Sequence, residues 1–383
     1  MAVRVYAGFD EFPEEYQDFF RATGSENYFL SLSWFRNLAA TAFDPGTAPR
    51  LYAVEGEAGA GGPMAFLIAS SPAGRDGSIF EGKRIGPRTL SGMTNYQSID
   101  FAPLVAPEVA DPAGPLRELV GFLCAEKPRW SLLDFNLLDP EARWFGPLGE
   151  ELKAAGMIVR RYRYAEKRYE PIAGRSFEEY LAARPNNERK GIWRHKRQLE
   201  RKHRFRVEIL ATAEPARLDQ AIADYERVLA ASWKQPERFP QYAAGLIRTL
   251  AAAGSLRLGL LYLDDKPVAT QIWVVANRRA CIYKLHYDKE YRPFSVGSIL
   301  TAELMRQVID VDGVQEVDFG LFEDRHKRAW MTQRREVWGM AAFNPRTFWG
   351  WAALLQYEIE RGRRALLRLV KPVFRQVASA MGR

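Results

Sequence analysis

Residues 288–298 place a loop with serine and glycine between an apolar strand and an apolar helix. The first amides of a helix lack intrahelical acceptors and carry the positive end of its dipole, so they can hold a pyrophosphate group. Gly297 lets the backbone approach such a ligand closely, and Arg292 adds positive charge. The predicted phosphate-binding residues are Arg292, Ser295, Val296, Gly297 and Ser298. The alternative is a simple helix N-cap, which most loops of this composition form.

His286, just upstream, has a side chain that titrates near neutral pH, which makes it the first candidate for a general base. Two-residue periodicity along the predicted strand 280–287 puts His286 on one face with Lys284 and Ile282. A histidine that is only hydrogen-bonded within the strand is an equally good interpretation. Cys281, on the same strand, fits a buried filler better than a nucleophile.

The composition limits the kinds of protein that this sequence can form. Its 383 residues suggest two domains or one large one, and 47% apolar residues with 13% aromatic ones exclude a largely disordered chain. Two cysteines without a C-x-x-C spacing build neither a disulfide scaffold nor a cysteine zinc site. With four histidines and no H-E-x-x-H motif, we expect no metal site.

The net charge of +8 is concentrated in two segments. Residues 181–206 carry ten Lys/Arg and two Glu, and residues 349–383 carry seven Lys/Arg and two Glu, so the rest of the chain is net acidic. The first segment predicts a helix that binds the phosphates of a nucleotide, CoA or tRNA, or else a basic helix face in water. This distribution argues against a general nucleic-acid coat and for local anionic contacts.

The C-terminal segment 348–383 begins with Phe348, Trp349 and Trp351 and then alternates apolar residues with arginine and lysine. A basic amphipathic helix with aromatic residues at one end suits an anionic membrane interface. The alternative, which is slightly favoured, is a helix docked on the domain with its basic side in water.

The ends and the apolar runs of the sequence bear on location. The first residues lack the apolar core of a secretory signal, and no apolar run approaches the ~20 residues that cross a bilayer. We therefore expect a cytoplasmic protein, and attachment to the inner face of the membrane is compatible with the sequence.

The order of the predicted elements indicates the fold class. Each half consists of two helices, antiparallel strands, a helix and a strand, which is typical of α/β or α+β layer folds. Residues 95–101 are predicted as a strand of the first half, and residues 77–80 as another. The polar residues 164–175 are predicted as the boundary between the halves.

Several short motifs in the second half resemble the GNAT acyltransferase superfamily, in the branch of CelD/BcsL-like and FemAB-like proteins. They are Ala231-Ser-Trp233-Lys234, Pro267-Val-Ala-Thr-Gln271, Tyr283-Lys-Leu-His286-Tyr-Asp288, Ser295-Val-Gly297 and Asp318-Phe-Gly-Leu-Phe-Glu-Asp-Arg-His-Lys327-Arg-Ala-Trp330. The resemblance implies two tandem GNAT-like units, each a mixed, mostly antiparallel sheet flanked by helices. A degenerate unit is expected at 1–165, a catalytic unit at 166–347 and a basic amphipathic helix at 348–383.

The resemblance also implies the reaction and the partners. An acyl group would move from a thioester, or from an aminoacyl-tRNA ester, to an amine. Acyl-CoA would be a cosubstrate, with no permanently bound cofactor, and its pyrophosphate would lie on the turn from Arg292 to Ser298. An acyl carrier protein is an alternative donor, and tRNA is the less favoured one.

Such a reaction needs a base for the ammonium and a donor for the oxyanion. His286 is the expected base, and Lys327 would stabilise the oxyanion or orient the donor, as the matching lysine does in FemAB-like proteins. Asp318 would orient the amine or accept a proton. The family usually has tyrosine before that lysine, where this chain has histidine. The residues expected at the acceptor site are Trp233, Lys234, Gln271, Tyr283 and His326.

The favoured function is N-acylation of a primary amine. The basic aromatic tail and a resemblance to bacterial ceramide synthase-like proteins point to a lipid-like acceptor, such as a sphingoid base. The alternatives are an aminoacyl-tRNA-dependent transferase of the FemAB kind and a non-enzymatic module that binds RNA or an anionic surface.

Overall fold

The computed structural model describes residues 1–11, 13–14, 16–44, 46–56, 62–72, 87–322 and 325–381. The strand predicted at residues 77–80 lies outside these ranges. Within the described ranges the chain has the mixed α/β architecture that was expected, with helices on both faces of one large sheet.

The sheet contains thirteen strands in the described part of the chain. They are β1 (Ala2–Tyr6), β2 (Thr47–Glu55), β3 (Pro63–Pro72), β4 (Thr89–Gly92), β5 (Leu104–Val105), β6 (Leu132–Leu138), β7 (Ile158–Pro171), β8 (Phe205–Leu210), β9 (Leu256–Leu263), β10 (Lys266–Ala276), β11 (Arg279–Tyr287), β12 (Glu316–Leu321) and β13 (Gln333–Phe343). The spatial order is β1-β2-β3-β4-β6-β13-β7-β12-β11-β10-β9-β8, and β5 pairs with β3.

The helices cover both faces of this sheet. They are α1 (Tyr16–Glu26), α2 (Leu32–Thr41), α3 (Ala113–Ala125), α4 (Phe145–Ala154), α5 (Phe177–Ala182), α6 (Asn186–Lys202), α7 (Pro215–Ala231), α8 (Pro240–Ala252), α9 (Val296–Arg306), α10 (Arg325–Trp330) and α11 (Phe348–Met381). The helix predicted in the basic segment 181–206 begins only after Pro185, which separates α5 from α6 and cannot continue the first.

The two halves of the sheet repeat one pattern from each edge inward. Four antiparallel strands are followed by a parallel pairing, β4 with β6 in one half and β11 with β12 in the other, and then by one more strand. That last strand is exchanged: β13 completes the first half and β7 the second. The division into units 1–165 and 166–347 remains a prediction, and its boundary falls inside β7, not in a linker.

The apolar composition of the central strands follows from the helices that cover both faces of the sheet. β9 is apolar at almost every position and buried from Leu258 to Leu263, since α9 packs on one face and α7 and α8 on the other. Gly259 makes the close approach possible, because a Cβ atom there would lie 2.6 Å from Leu304 Cδ1 of α9. The second half therefore has a densely packed central sheet that can hold its loops in place.

Residues 95–101, predicted as a strand, form a loop that crosses the first half. Phe101 N–H donates to Leu137 O over 3.1 Å, and Thr94 Oγ1 donates to Asn136 Oδ1 over 2.8 Å. The side chain of Phe101 packs against Phe135 of β6. The loop thus fills the space beyond the β4–β6 pairing with the chain's own residues.

A buried ion pair joins this loop to β7. Lys167 is 4% exposed and donates to Asp100, which also accepts from Asn27 Nδ2 over 3.0 Å. Burial by itself would raise the pKa of Asp100, but the Lys167 ammonium outweighs it, so the pKa lies below its usual value. The pair fixes the loop relative to the centre of the sheet.

We predict that Lys167→Met lowers the free energy of unfolding by about 3–5 kcal/mol, because it leaves a desolvated carboxylate without its counter-ion. Arg117→Met, which removes a pair between a solvent-exposed arginine and Glu151, should cost much less, because water screens the arginine. Urea denaturation of both variants measures the difference. Equal losses would mean that the Lys167 pair contributes no more than a surface ion pair.

Candidate functional site

Two neighbouring strands of the second half separate where the candidate site lies. β11 and β12 pair in parallel from Arg279 opposite Glu316 to Cys281 opposite Asp318, although β11 continues to Tyr287. Beyond these pairs β12 turns away through Gly320, whose φ of +68° is a left-handed conformation that suits glycine. We call the gap between residues 282–287 of β11 and 319–321 of β12 the splay.

A β-bulge in β11 decides which side chains face which helices. Trp273 of β10 lies opposite Ile282, but Ile272 lies opposite Lys284, so Tyr283 is an extra residue. Ile282 consequently packs in the cluster beneath α9, whereas Tyr283 and Lys284 both turn to the side of α7 and α8. The expected common face of Ile282, Lys284 and His286 was therefore wrong, because the bulge shifts the two-residue period.

Two lysines cap backbone carbonyls on opposite sides of the splay. Lys234, which follows α7, donates from Nζ to Leu285 O of β11 over 2.6 Å. Lys327 of α10 donates from Nζ to Leu321 O of β12 over 2.6 Å. Although the Lys234 side chain as a whole is exposed, burial of its ammonium and then the charge of Lys284 lower its pKa to about 8.

Next to Lys234, the two halves of the chain share a hydrogen-bond network. Tyr283 Oη donates to Gln97 O over 2.7 Å and lies 2.6 Å from Tyr242 Oη. Glu237 accepts from Gln97 Nε2 over 3.1 Å and from Lys284 Nζ over 2.7 Å. Burial raises the pKa of Tyr283 well above its usual value, so its phenol stays protonated. The first half therefore supplies part of the site wall.

Sequence reasoning missed Gln97 and Glu237 as members of this wall. The short motif Asn95-Tyr-Gln97-Ser, a weak match to the same superfamily in the first half, was the available signal for Gln97. Glu237 lies in a loop before α8 and shows no motif of its own.

His286 is 2% exposed and packs edge-on against Tyr225 of α7, with ring centroids 5.5 Å apart. Neither of its ring nitrogens has a hydrogen-bond partner within the described residues. Burial, followed by the charges of Lys234 and Lys284, lowers its pKa to about 2. An imidazole in this environment is a weak base, and the role of general base for His286 stays a prediction.

Asp318 lies at the base of the splay, opposite Cys281 of β11. It is 5% exposed, and its Oδ1 accepts from Gly320 N–H over 2.5 Å. Its charge helps to raise the pKa of the buried Lys167, an effect that is second to that of Asp100 among the attractive ones. The structure thus places Asp318 where it holds the bend of β12, and does not bring it together with His286.

The predicted phosphate-binding turn leads from the end of β11 into α9. Ser295 has a left-handed φ of +54°, and Ile299 N–H, donating to Ser295 O over 3.0 Å, closes the first helical turn. The preceding N–H groups, of Val296, Gly297 and Ser298, come too early to have intrahelical acceptors. Val296 and Gly297 are buried, Ser295 and Ser298 are half-buried, and Arg292 is exposed.

Gln271 does not line an acceptor pocket as predicted. It is fully buried, donates from Nε2 to Gly297 O and to Thr301 Oγ1 over 2.9 Å each, and accepts from Trp273 Nε1 over 2.7 Å. All of its polar atoms are used inside the protein. Its role is to hold the start of α9 against β10.

The remaining predicted residues differ in exposure. Trp233 is 61% exposed, with the Lys234 ammonium 5.9 Å from its ring centroid, so it stands at the mouth of the splay. The side chain of His326 lies outside the described residues. Burial raises the pKa of Cys281 well above its usual value, which fits an inert thiol. The described residues contain no group of three or more His, Cys, Asp or Glu that could hold a metal ion.

Comparison with known families and solved structures shows what this fold is similar to. The family model of the acetyltransferase (GNAT) domain matches residues 186–328, from α6 to α10. FemX is similar over 88% of this chain and 96% of its own, with 12% identity and a TM-score of 0.55. L-PGS from Bacillus licheniformis is similar over 93% and 99%, with 12% identity and a TM-score of 0.54. A Bacteroides thetaiotaomicron protein of unknown function is similar over 88% and 100%, with 11% identity and a TM-score of 0.53.

At these identities the solved structures show a shared fold, whereas the family match identifies the domain at residues 186–328. No curated protein matches the chain. The chain therefore contains a GNAT acyltransferase domain at residues 186–328, as the sequence motifs indicated. It is an enzyme, and the splay and the start of α9 lie inside the matched residues.

We predict that His286→Phe retains acyltransfer within about threefold of the wild-type rate, because a buried imidazole of such low pKa is not a base at neutral pH. The phenyl ring keeps the packing against Tyr225 and removes two unpartnered polar atoms. Steady-state rates together with a thermal melt measure this. A hundredfold loss of rate in a variant that melts like the wild type would restore the catalytic role.

Proposed function

We propose that the protein transfers an acyl group from acyl-CoA to the primary amine of a long-chain, lipid-like acceptor, such as a sphingoid base. The observation that carries the proposal is the splay, which opens between two strands directly beside the amide-rich start of α9. An extended pantetheine arm can hydrogen-bond to a separated strand as an added strand would. The pyrophosphate then reaches the N–H groups of residues 296–298 and the exposed Arg292.

A basic helix lies beside this turn and supports CoA as the donor. α6 packs on α9, with Lys196 Nζ donating to Glu303 Oε1 over 2.7 Å. Its opposite side exposes Lys190, Arg194, Arg197 and Arg201, which recur on one helix face. CoA carries a further phosphate on its nucleotide, which these cations can meet. The arm of an acyl carrier protein has no such nucleotide, so CoA is favoured.

In the proposed reaction the acceptor ammonium first gives a proton to the neutral amine of Lys234. The freed amine attacks the thioester carbonyl carbon, so a C–N bond forms and an oxyanion develops, which the ammonium of Lys327 stabilises. The tetrahedral intermediate then collapses, breaking the C–S bond. The second amine proton passes to the departing thiolate, and the products are an amide and free CoA.

Aromatic residues near the mouth of the splay support a lipid-like acceptor. Trp233 is exposed beside Lys234, and the exposed Tyr96 stacks on Phe239 at 6.0 Å between ring centroids. Tyr96 precedes Gln97, which bonds to Tyr283 in the site wall. Exposed aromatic rings next to an amine-binding site favour a substrate with an apolar chain.

The second candidate is an aminoacyl-tRNA-dependent transferase, as the resemblance to FemAB-like proteins implies. The observation that favours it is the same face of α6. None of its four exposed cations has an acidic partner among the described residues. Such a face suits an RNA backbone as well as a nucleotide phosphate. The expected cytoplasmic location agrees with either donor and stays a prediction.

The proposal predicts thiol release when purified protein is mixed with a long-chain acyl-CoA and sphinganine. Gly297→Ala should raise the KM for acyl-CoA at least tenfold, because the new Cβ lies 3.0 Å from Tyr287 Cδ1 and displaces the turn. Gly121→Ala, on an exposed position of α3 with open space around it, is the matched control. A thiol-reactive dye and mass spectrometry of the amide are the readouts.

Three outcomes would contradict parts of this proposal. Turnover of short-chain amines alone would exclude the lipid-like acceptor. Activity that needs aminoacyl-tRNA and disappears with RNase would replace the donor. An unchanged KM in Gly297→Ala would remove the turn from the donor site.

We predict that kcat/KM rises as the pH rises to about 8 and then levels off, because Lys234 accepts a proton only when it is neutral. Its lowered pKa makes roughly a quarter of the molecules competent at pH 7.5. Lys234→Gln should reduce kcat/KM by about 10²–10⁴-fold and abolish this pH-dependent rise.

The control for this prediction is Lys153→Gln, since Lys153 is an exposed lysine of α4 paired with Glu150. It should keep the wild-type profile with the same acceptor. A Lys234→Gln enzyme with the wild-type slope would show that the proton leaves by another route.

A further inference from the structure

The last helix, α11, leaves one long apolar face without cover. Its exposed apolar side chains are Phe348 (76%), Trp351 (54%), Leu355 (64%), Ile359 (62%) and Leu367 (49%). The first four recur three or four residues apart, so they form a single row along the helix. From Phe348 to Leu367 this row is about 28 Å long, at 1.5 Å per residue. We call it the α11 stripe.

The opposite side of the helix start is what docks on the protein. Leu354, Ala353 and Tyr357 pack with Phe343 of β13 and Ile158 of β7. Arg160 Nε donates to Glu358 Oε1 over 2.6 Å, and Trp351 Nε1 donates to Pro345 O over 2.9 Å. These contacts hold the orientation of the first turns and explain why the α11 stripe faces away from the core.

The charge of the segment distinguishes the possible occupants of the α11 stripe. Residues 349–383 carry seven Lys/Arg and two Glu, and both glutamates lie before residue 361. Glu358 and Glu360 already pair with Arg361 and Arg364, so the remaining charge is positive. A second copy of the chain would bring the same cations close to each other. An anionic surface neutralises them.

We propose that the α11 stripe binds the surface of a bilayer that contains anionic lipids. The helix lies in the interface, with its apolar row in the acyl boundary, Trp351 and Phe348 at headgroup depth, and arginines reaching the phosphates. No helix in the described part of the chain is long and apolar enough to cross a membrane. The proposal does not depend on acyl transfer and stands apart from the identity of the donor and the acceptor.

Vesicle flotation with the full chain tests this proposal. The protein should float with vesicles of phosphatidylglycerol and phosphatidylcholine, and at least tenfold less with phosphatidylcholine alone or in 0.5 M salt, since ~3–5 Å of screening length remains there. Leu355→Gln with Ile359→Gln should reduce binding to anionic vesicles at least tenfold. Both residues are more than half exposed, so the variant should melt like the wild type.

Val311→Ser is the matched control, because Val311 is a 70% exposed apolar residue away from the α11 stripe. It should bind vesicles as the wild type does. Failure of the wild type to float with anionic vesicles would overturn the proposal, and so would equal flotation of the double variant. Lipid-free dimers that dissociate in the double variant, seen by sedimentation, would instead assign the α11 stripe to contact between two copies.

Discussion

The separation of β11 from β12 beyond Cys281 and Asp318 is the constraint on which the site depends. Hydrogen bonding would otherwise continue along two parallel strands and close the sheet. The bulge at Tyr283 and the left-handed Gly320 turn both strands out of register with each other. Two backbone carbonyls of the separated strands accept hydrogen bonds from Lys234 and Lys327. The ion pair of Lys167 with Asp100 supports the base of the gap.

The two halves contain the same parallel strand pairing, but they differ in what occupies the space beyond it. In the first half the space beyond the parallel pairing of β4 and β6 holds the loop from residue 94 to residue 101. In the second half that loop reaches across and becomes one wall of the open site, through Gln97. The first half is therefore a structural part of the site, in addition to repeating the strand pattern of the second half.

Much of the fold could be predicted from the sequence because its signals are local. Apolar runs, prolines and capping positions located most strands and helices, and short motifs in the second half were enough to identify the superfamily. The turn at Gly297 was also locally encoded. The burial of Gln271 and His286 could not be predicted in this way, because it arises from helices distant in sequence.

The surroundings of His286 differ from those expected, and the difference has a definite physical origin. The two-residue periodicity of the strand did not reveal the bulge at Tyr283. The type of a residue also does not show the free energy needed to ionise its side chain in a buried position. A histidine and a lysine both count as titratable in a sequence. In the fold, burial lowers the pKa of His286 to about 2 and that of Lys234 to about 8.

The exchange of β7 and β13 has a consequence for how the protein is made. β6 obtains its second neighbour only from β13, which the ribosome synthesises nearly two hundred residues later. The early half thus emerges with a sheet edge that stays open until β13 has been synthesised. Nascent chains of this architecture are exposed to premature edge pairing, and chaperone capture during that interval is a natural remedy.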